Sequence, residues 1–203
     1  MADTPTAGRG SFCDMARREA TVEDLYKIAD KAEIVNGELV IMTPAGGLHG
    51  YAARAIYASL FEYARRTKRG YALPDNVGFV VNLPNRRSFS PDVALWTGAP
   101  LTRKFPEGAP IFAVEVRSDD DYGPGAEGRM AAKRADYFAA GTLVVWDVDV
   151  LEEYVVRVYR AADPAKPASY GRGEHAEVGP ELPGWSMPVD DLFPAPRHPA
   201  RPS

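Results

Sequence analysis

Ile111-Phe-Ala-Val-Glu-Val-Arg117 is the stretch on which the reading of this chain turns. A near-continuous apolar run of this length is expected of a central strand covered on both faces. Alternation with period two puts Ala113, Glu115 and Arg117 on one face and Phe112, Val114 and Val116 on the other. Glu115 is the anomaly. A carboxylate inside such a strand is costly unless it is paired, protonated or bound to a metal ion, and an internal pair with an arginine is the plainest of these outcomes.

The flanking segments carry two further oddities. In Ser90-Pro-Asp-Val-Ala-Leu-Trp96, Pro91 suits the start of a strand, and Asp92, Ala94 and Trp96 then share a face. Taken alone, Asp92 reads equally well as a turn residue beside proline. Downstream, residues from about 126 to 140 have helical spacing and stop at Gly141, with an inward stripe of Ala126, Met130, Tyr137 and Ala140. Lys133 falls within the stripe, whereas Arg129 and Arg134 fall outside it and are expected to face water. Lys133 could also lie at the helix edge with its ammonium in solvent.

Working outward, Leu143–Asp147 and Tyr154–Tyr159 read as strands, as does 76–83. The longest helix is expected from Leu48 to about Thr67, with Tyr51, Ala52, Ala55, Ile56, Leu60 and Tyr63 on its apolar side. Its basic end, Arg65, Arg66, Lys68 and Arg69, complements the helix dipole. Before it, Asn36-Gly37 between two β-rich runs predicts a hairpin over Glu33–Ile41, and Thr21 with Asp24 has capping-box spacing for a short helix through about Lys31. This order, ββ-α-βββ-α-ββ, predicts an α/β fold: a mixed central sheet with flanking helices.

The 203 residues suit a single domain, placed at 19–193 between a loose leader of 1–18 and a frayed tail from 194. Residues 161–203 hold 9 of the 18 prolines, which predicts irregular strands and turns there. The net charge of −4 excludes a polybasic nucleic-acid coat protein, so any nucleic acid must be held by local basic residues or by bound cations. Arg86-Arg87 and Arg103-Lys104 are candidates for phosphate contacts. One cysteine, Cys13, and three dispersed histidines, His49, His175 and His198, argue against structural zinc. No run of eighteen apolar residues and no signal-peptide core occur, so a soluble, cytoplasmic protein is expected.

An inward aspartate, an inward glutamate and an inward lysine on consecutive elements could form one charged cluster. Adjacent carboxylates repel unless a cation lies between them. Mg²⁺ suits such a pair, because it takes oxygen ligands, keeps waters, and is held by one or two carboxylates plus a substrate phosphate. It would activate a water as nucleophile while the lysine orients that water or stabilises charge. The acidic run Asp119-Asp-Asp121 is a weaker candidate for a second cation, since acidic loops are commonly just solvated.

Ala32–Val40, Met42–Gly50, Ser90–Ala94, Ala113–Ser118, Lys133–Gly141 and Val144–Asp147, in this order and spacing, resemble the Uma family of restriction endonucleases in the PD-(D/E)xK nuclease superfamily. The resemblance runs from about Thr21 to Phe193, with Leu182–Trp185 and Asp191–Phe193 similar to the closing motif. It implies a restriction-endonuclease-like fold and a Mg²⁺- or Mn²⁺-dependent endonuclease acting on DNA. In it Asp92 and Glu115 are the metal ligands, and Lys133 replaces the lysine of the E-x-K element, whose place is taken by Arg117. Glu33 and His49 match recurrent positions near the site, and a homodimer would supply two active sites for two strands. The alternative is a binding or accessory protein that keeps the nuclease fold without turnover.

Overall fold

The computed structural model describes residues 18–195; all of the leader but Arg18, and the tail beyond Ala195, lie outside the described residues. In chain order, α1 (Val22–Leu25) leads into a hairpin of β1 (Ala32–Val35) and β2 (Glu38–Ile41), followed by α2 (Gly47–Thr67). Next come β3 (Tyr71–Leu73), β4 (Phe79–Val80), β5 (Ser88–Phe89), β6 (Val93–Trp96) and β7 (Phe112–Val116). A crossover through α3 (Pro124–Ala140) reaches β8 (Val144–Asp149), and the chain ends with β9 (Val155–Arg160), β10 (Asp163–Tyr170), β11 (His175–Glu177) and β12 (Ser186–Pro188).

Six strands form the main sheet in the order β10-β9-β8-β7-β6-β3. β7 and β8 are parallel, as the helical crossover requires, and the other neighbours are antiparallel. The expected α/β architecture with helices on both faces is therefore what forms. Val93, Leu95, Phe112, Val114, Val116 and Trp146 pack with Ala52, Ile56, Leu60 and Tyr63 of α2 on one face. On the other face Ala94, Trp96, Ala113 and Val145 pack with Phe79, Phe89 and Tyr137 of α3. The alternation read from 111–117 thus sorts the strand as expected, and it places Glu115 on the α3 side.

The closing segment completes the α2 face. Trp185 stacks on Trp146 with ring centroids 5.1 Å apart, and its indole N–H donates to Ser59 Oγ on α2 at 3.1 Å.

Several boundaries differ from the expectations for identifiable reasons. The capping box forms, with Thr21 N–H and Oγ1–H donating to Asp24 Oδ2 at 3.0 and 2.8 Å, but α1 stops at Leu25. Lys31 cannot be helical because its carbonyl already accepts the Met42 N–H at 2.9 Å, extending the hairpin ladder. The hairpin turn has φ of 51° at Asn36 and 75° at Gly37, both positive as a type I′ turn demands. The strand expected over 76–83 contracts to the two residues of β4, and β3, which the sequence reading leaves out, pairs with β6 instead. β10 is longer than its prolines suggest. It is the sheet's edge, and its register shifts between Asp163 and Ala168, so Pro164 and Pro167 sit where no regular ladder is required. Among the described residues no helix is long and apolar enough to cross a membrane.

Candidate active site

Strand register brings the two suspected acids together. Val93 pairs with Val114 in the antiparallel ladder, and the Asp92 N–H donates to the Val114 carbonyl at 3.0 Å, so the next step places Asp92 opposite Glu115 on the α3 face. From α3, Lys133 reaches Glu115 Oε2 at 2.9 Å, and Tyr137, one turn on, donates its hydroxyl to Glu115 Oε1 at 2.6 Å. Residues four apart share a helix face, which is why one helix supplies both donors.

The β1–β2 hairpin adds the third acid. It is stitched to the segment before β6 by Arg87 N–H to the Ile34 carbonyl at 3.0 Å and by Ile34 N–H to Ser88 Oγ at 2.8 Å. This docking buries Glu33, whose Oε1 accepts the Ser90 N–H at 2.8 Å and faces Lys133 Nζ at 3.0 Å, while its Oε2 is bound by Arg86. The first turn of α2 contributes His49, with Nε2 3.2 Å from Asp92 Oδ2. That same oxygen accepts the Val116 N–H at 2.8 Å. Lys31, just before β1, places Nζ 2.5 Å from Asp92 Oδ1 and 2.7 Å from Asp75 Oδ1.

Asp92, Glu115, Lys133, Glu33 and His49 are therefore neighbours. Arg117 is not in the group. Its guanidinium turns to Asp147 on β8, with Nε–Oδ1 at 2.7 Å and Nη2–Oδ2 at 2.9 Å, and to Glu127 on α3. Arg134, expected to face water, instead joins Asp147 at 3.2 Å and lies over the Tyr159 ring at 4.1 Å. Arg86 is buried between Glu33 and Asp136 and so is no phosphate contact, whereas Arg87, Arg103 and Lys104 are exposed. In the acidic run, Asp121 is held by Ser118, and among the described residues no group of three or more His, Cys, Asp or Glu side chains is arranged to hold a metal ion.

The sequence reading missed Lys31 as a participant and saw Tyr137 only as packing. Both had a signal. Lys31 and Glu33 share the period-two face leading into β1, and Tyr137 stands one turn from Lys133.

Burial and charge set the protonation states. Burial raises the Asp92 carboxyl, but the His49 hydrogen bond and the charge of Lys31 outweigh it and hold it below its ordinary range. Glu115 goes the other way: burial raises it, Lys133 opposes the rise, and the charges of Asp92 and Glu33 add to it. Burial disfavours the Lys133 ammonium, yet Glu115 and Glu33 hold its pKa above that of an ordinary lysine, so it is a fixed cation at neutral pH. Glu33 remains ionised because Lys133 and Arg86 overcome its burial.

The donor set suits a hard divalent ion in kind. Two carboxylates, Asp92 at the entrance to β6 and Glu115 on β7, lie opposite one another in register, and two is a number Mg²⁺ takes from a protein. Asp92 Oδ1 carries one donor, Lys31, and each Glu115 oxygen carries one, leaving acceptor capacity on both side chains. The Asp92 side chain is only 4% exposed, while Glu115 and Lys133 are each 19% exposed, so the cluster opens to solvent on the Glu115 side.

Residues 22–190 match the family described as Uma2, putative restriction endonuclease. The chain belongs to this family. Among solved structures, a putative nuclease belonging to DUF820 from Anabaena variabilis ATCC 29413 superposes with a TM-score of 0.67 at 16% identity, covering 86% of this chain and 97% of that one. At that identity the likeness concerns the fold. No curated protein matches the chain. Membership in the Uma2 family agrees with the restriction-endonuclease-like architecture.

Proposed function

We propose that this Uma2 protein is a divalent-metal-dependent endonuclease that hydrolyses DNA phosphodiesters at the Asp92–Glu115–Lys133 cluster. The observation that carries the reading is the convergence itself: Lys133 Nζ lies 2.9 Å from Glu115 Oε2, on the sheet face that also presents Asp92. Asp92 and Glu115 would hold a Mg²⁺ or Mn²⁺ ion. When bound, such an ion supplies Lewis-acid polarisation of a phosphoryl oxygen and lowers the pKa of water.

The remaining steps belong to the chain's own residues. Lys133 is held protonated between Glu115 and Glu33, so it acts as a fixed positive charge beside the phosphoryl group, where negative charge grows as the bond breaks. Glu33 is a positioning residue: clamped by Arg86 and Ser90, it fixes where that ammonium sits. His49 and the Val116 N–H both take Asp92 Oδ2, which orients the carboxylate and leaves Oδ1 to a cation. Exposed Arg87, Arg103 and Lys104 on the segments around β6 are the positive groups available to a DNA backbone, which eases the objection from the chain's net charge.

Supercoiled plasmid with Mg²⁺ or Mn²⁺ tests the reading. Wild type is expected to nick it, and Asp92→Asn and Lys133→Ala are expected to lose nicking while remaining folded. Nicking that persists in both variants overturns the site. Wild type that binds DNA without cutting it would favour the non-catalytic nuclease-fold reading.

A further inference from the structure

We infer that Lys31 occupies the cation position on Asp92 and is displaced onto Asp75 when a divalent metal ion binds, so that it acts as a built-in competitor setting metal affinity. The inference rests on the metal-dependent reading above and deepens it. It names a residue of this chain that regulates access to the site.

The ammonium of Lys31 bridges two carboxylates of very different surroundings. Asp92 is 4% exposed, whereas Asp75, two residues beyond β3, is 51% exposed. At 2.5 Å from Asp92 Oδ1, Nζ stands on the one oxygen that His49 and Val116 leave open. A Mg²⁺ ion at its usual distance of about 2.0–2.1 Å from that oxygen would lie no more than about 4.6 Å from the ammonium, where two positive charges repel. Both cannot stay.

Charge balance points the same way. At the centre, Asp92, Glu115 and Glu33 already face three fixed cations, Lys31, Lys133 and Arg86, so each central carboxylate is paired without a metal. Lys133 lies between two central carboxylates, and Arg86 is held between Glu33 and the little-exposed Asp136. Lys31 is the cation whose second berth, Asp75, lies open to solvent. Its backbone is fixed by the Met42 N–H at 2.9 Å, so the movement required is one of side-chain rotamers alone, letting go of Asp92 while keeping Asp75.

Calorimetric titration of the full chain with Mn²⁺ tests this without any cleavage. Lys31→Met keeps the apolar stem but removes the competing charge, and Mn²⁺ is expected to bind about tenfold tighter or better. Lys31→Gln serves the same purpose should the methionine variant not fold. Asp75→Asn removes the outer berth and is expected to weaken Mn²⁺ binding in the wild-type background, but to have no effect in the Lys31→Met background, where nothing needs the berth. Unchanged or weaker binding in the Lys31 variants, with wild type binding Mn²⁺, overturns the inference and leaves the metal site standing. Equal weakening by Asp75→Asn in both backgrounds makes Asp75 a ligand and overturns it too. Absence of Mn²⁺ binding in all of them, or Asp92→Asn binding as tightly as wild type, removes the metal-site reading and the inference together.

Discussion

Glu33→Gln is the substitution that asks most of the site's energetics. Glu33 is 3% exposed and holds three groups at once: the Ser90 N–H, the Lys133 ammonium and the Arg86 guanidinium. Glutamine has the same shape, and its amide oxygen can still accept from Ser90. Its amide nitrogen, however, then takes the place of Oε2 and faces Arg86, donor against donor. Breaking a buried pair by removing one charge costs about 3–5 kcal/mol, because the partner is left uncompensated. Arg86 retains Asp136 at 2.8 Å and Lys133 retains Glu115 at 2.9 Å, which favours the lower end of that range. At about 2–4 °C per kcal/mol for a domain of this size, the melting temperature should fall by roughly 6–20 °C.

The pH dependence of this deficit has a definite sign. The folded pKa of Glu33 lies below its ordinary value of 4.5, so its stabilisation is fully present above 4.5 and is lost as pH falls through the lowered folded value. Urea unfolding of wild type and Glu33→Gln should therefore show the full difference at pH 7 and a shrinking one in acid. A difference under about 1 kcal/mol at neutral pH, or one that grows on acidification, would refute the picture of an ionised Glu33 clamped by two cations.

Other expectations follow from the same geometry. Arg117→Met should lower stability by about 3–5 kcal/mol, since Asp147 is 1% exposed and loses its bidentate partner, yet folded protein should still nick plasmid; loss of nicking at full stability would restore Arg117 to the active site. His49 is raised above its ordinary 6.5 because the Asp92 hydrogen bond and charge outweigh burial, so its contribution is complete below 6.5 and disappears as pH rises through the folded value. Unfolding free energies of wild type and His49→Gln, measured from pH 6 to 8.5, should converge with rising pH, and parallel curves would count against the His49–Asp92 contact.

Local regularities made the fold legible. The period-two pattern of 111–117, the Asn36-Gly37 turn, the capping pair Thr21 and Asp24, and the helical stripe of α3 each depend on backbone geometry within a few residues, and each forms where the sequence indicates. The same regularities placed Asp92, Glu115 and Lys133 on inward faces. What the sequence by itself determined was the face of Glu115 on its strand; for Asp92 and Lys133 it offered the inward direction beside a turn or helix-edge reading.

Only the tertiary structure decided what they meet. Arg117 shares the face of Glu115, but the parallel pairing of β7 with β8 sets Asp147 opposite Glu115, close enough to capture the arginine, and no local rule encodes that neighbour. Arg86 looked like a surface cation until the hairpin docked over it, and Lys31 looked like the end of a helix until strand pairing carried it to Asp92. Ion pairs across 50 and 61 residues, Arg86–Asp136 and Lys31–Asp92, depend on packing between distant segments, since charge acts through space and leaves no period along the chain.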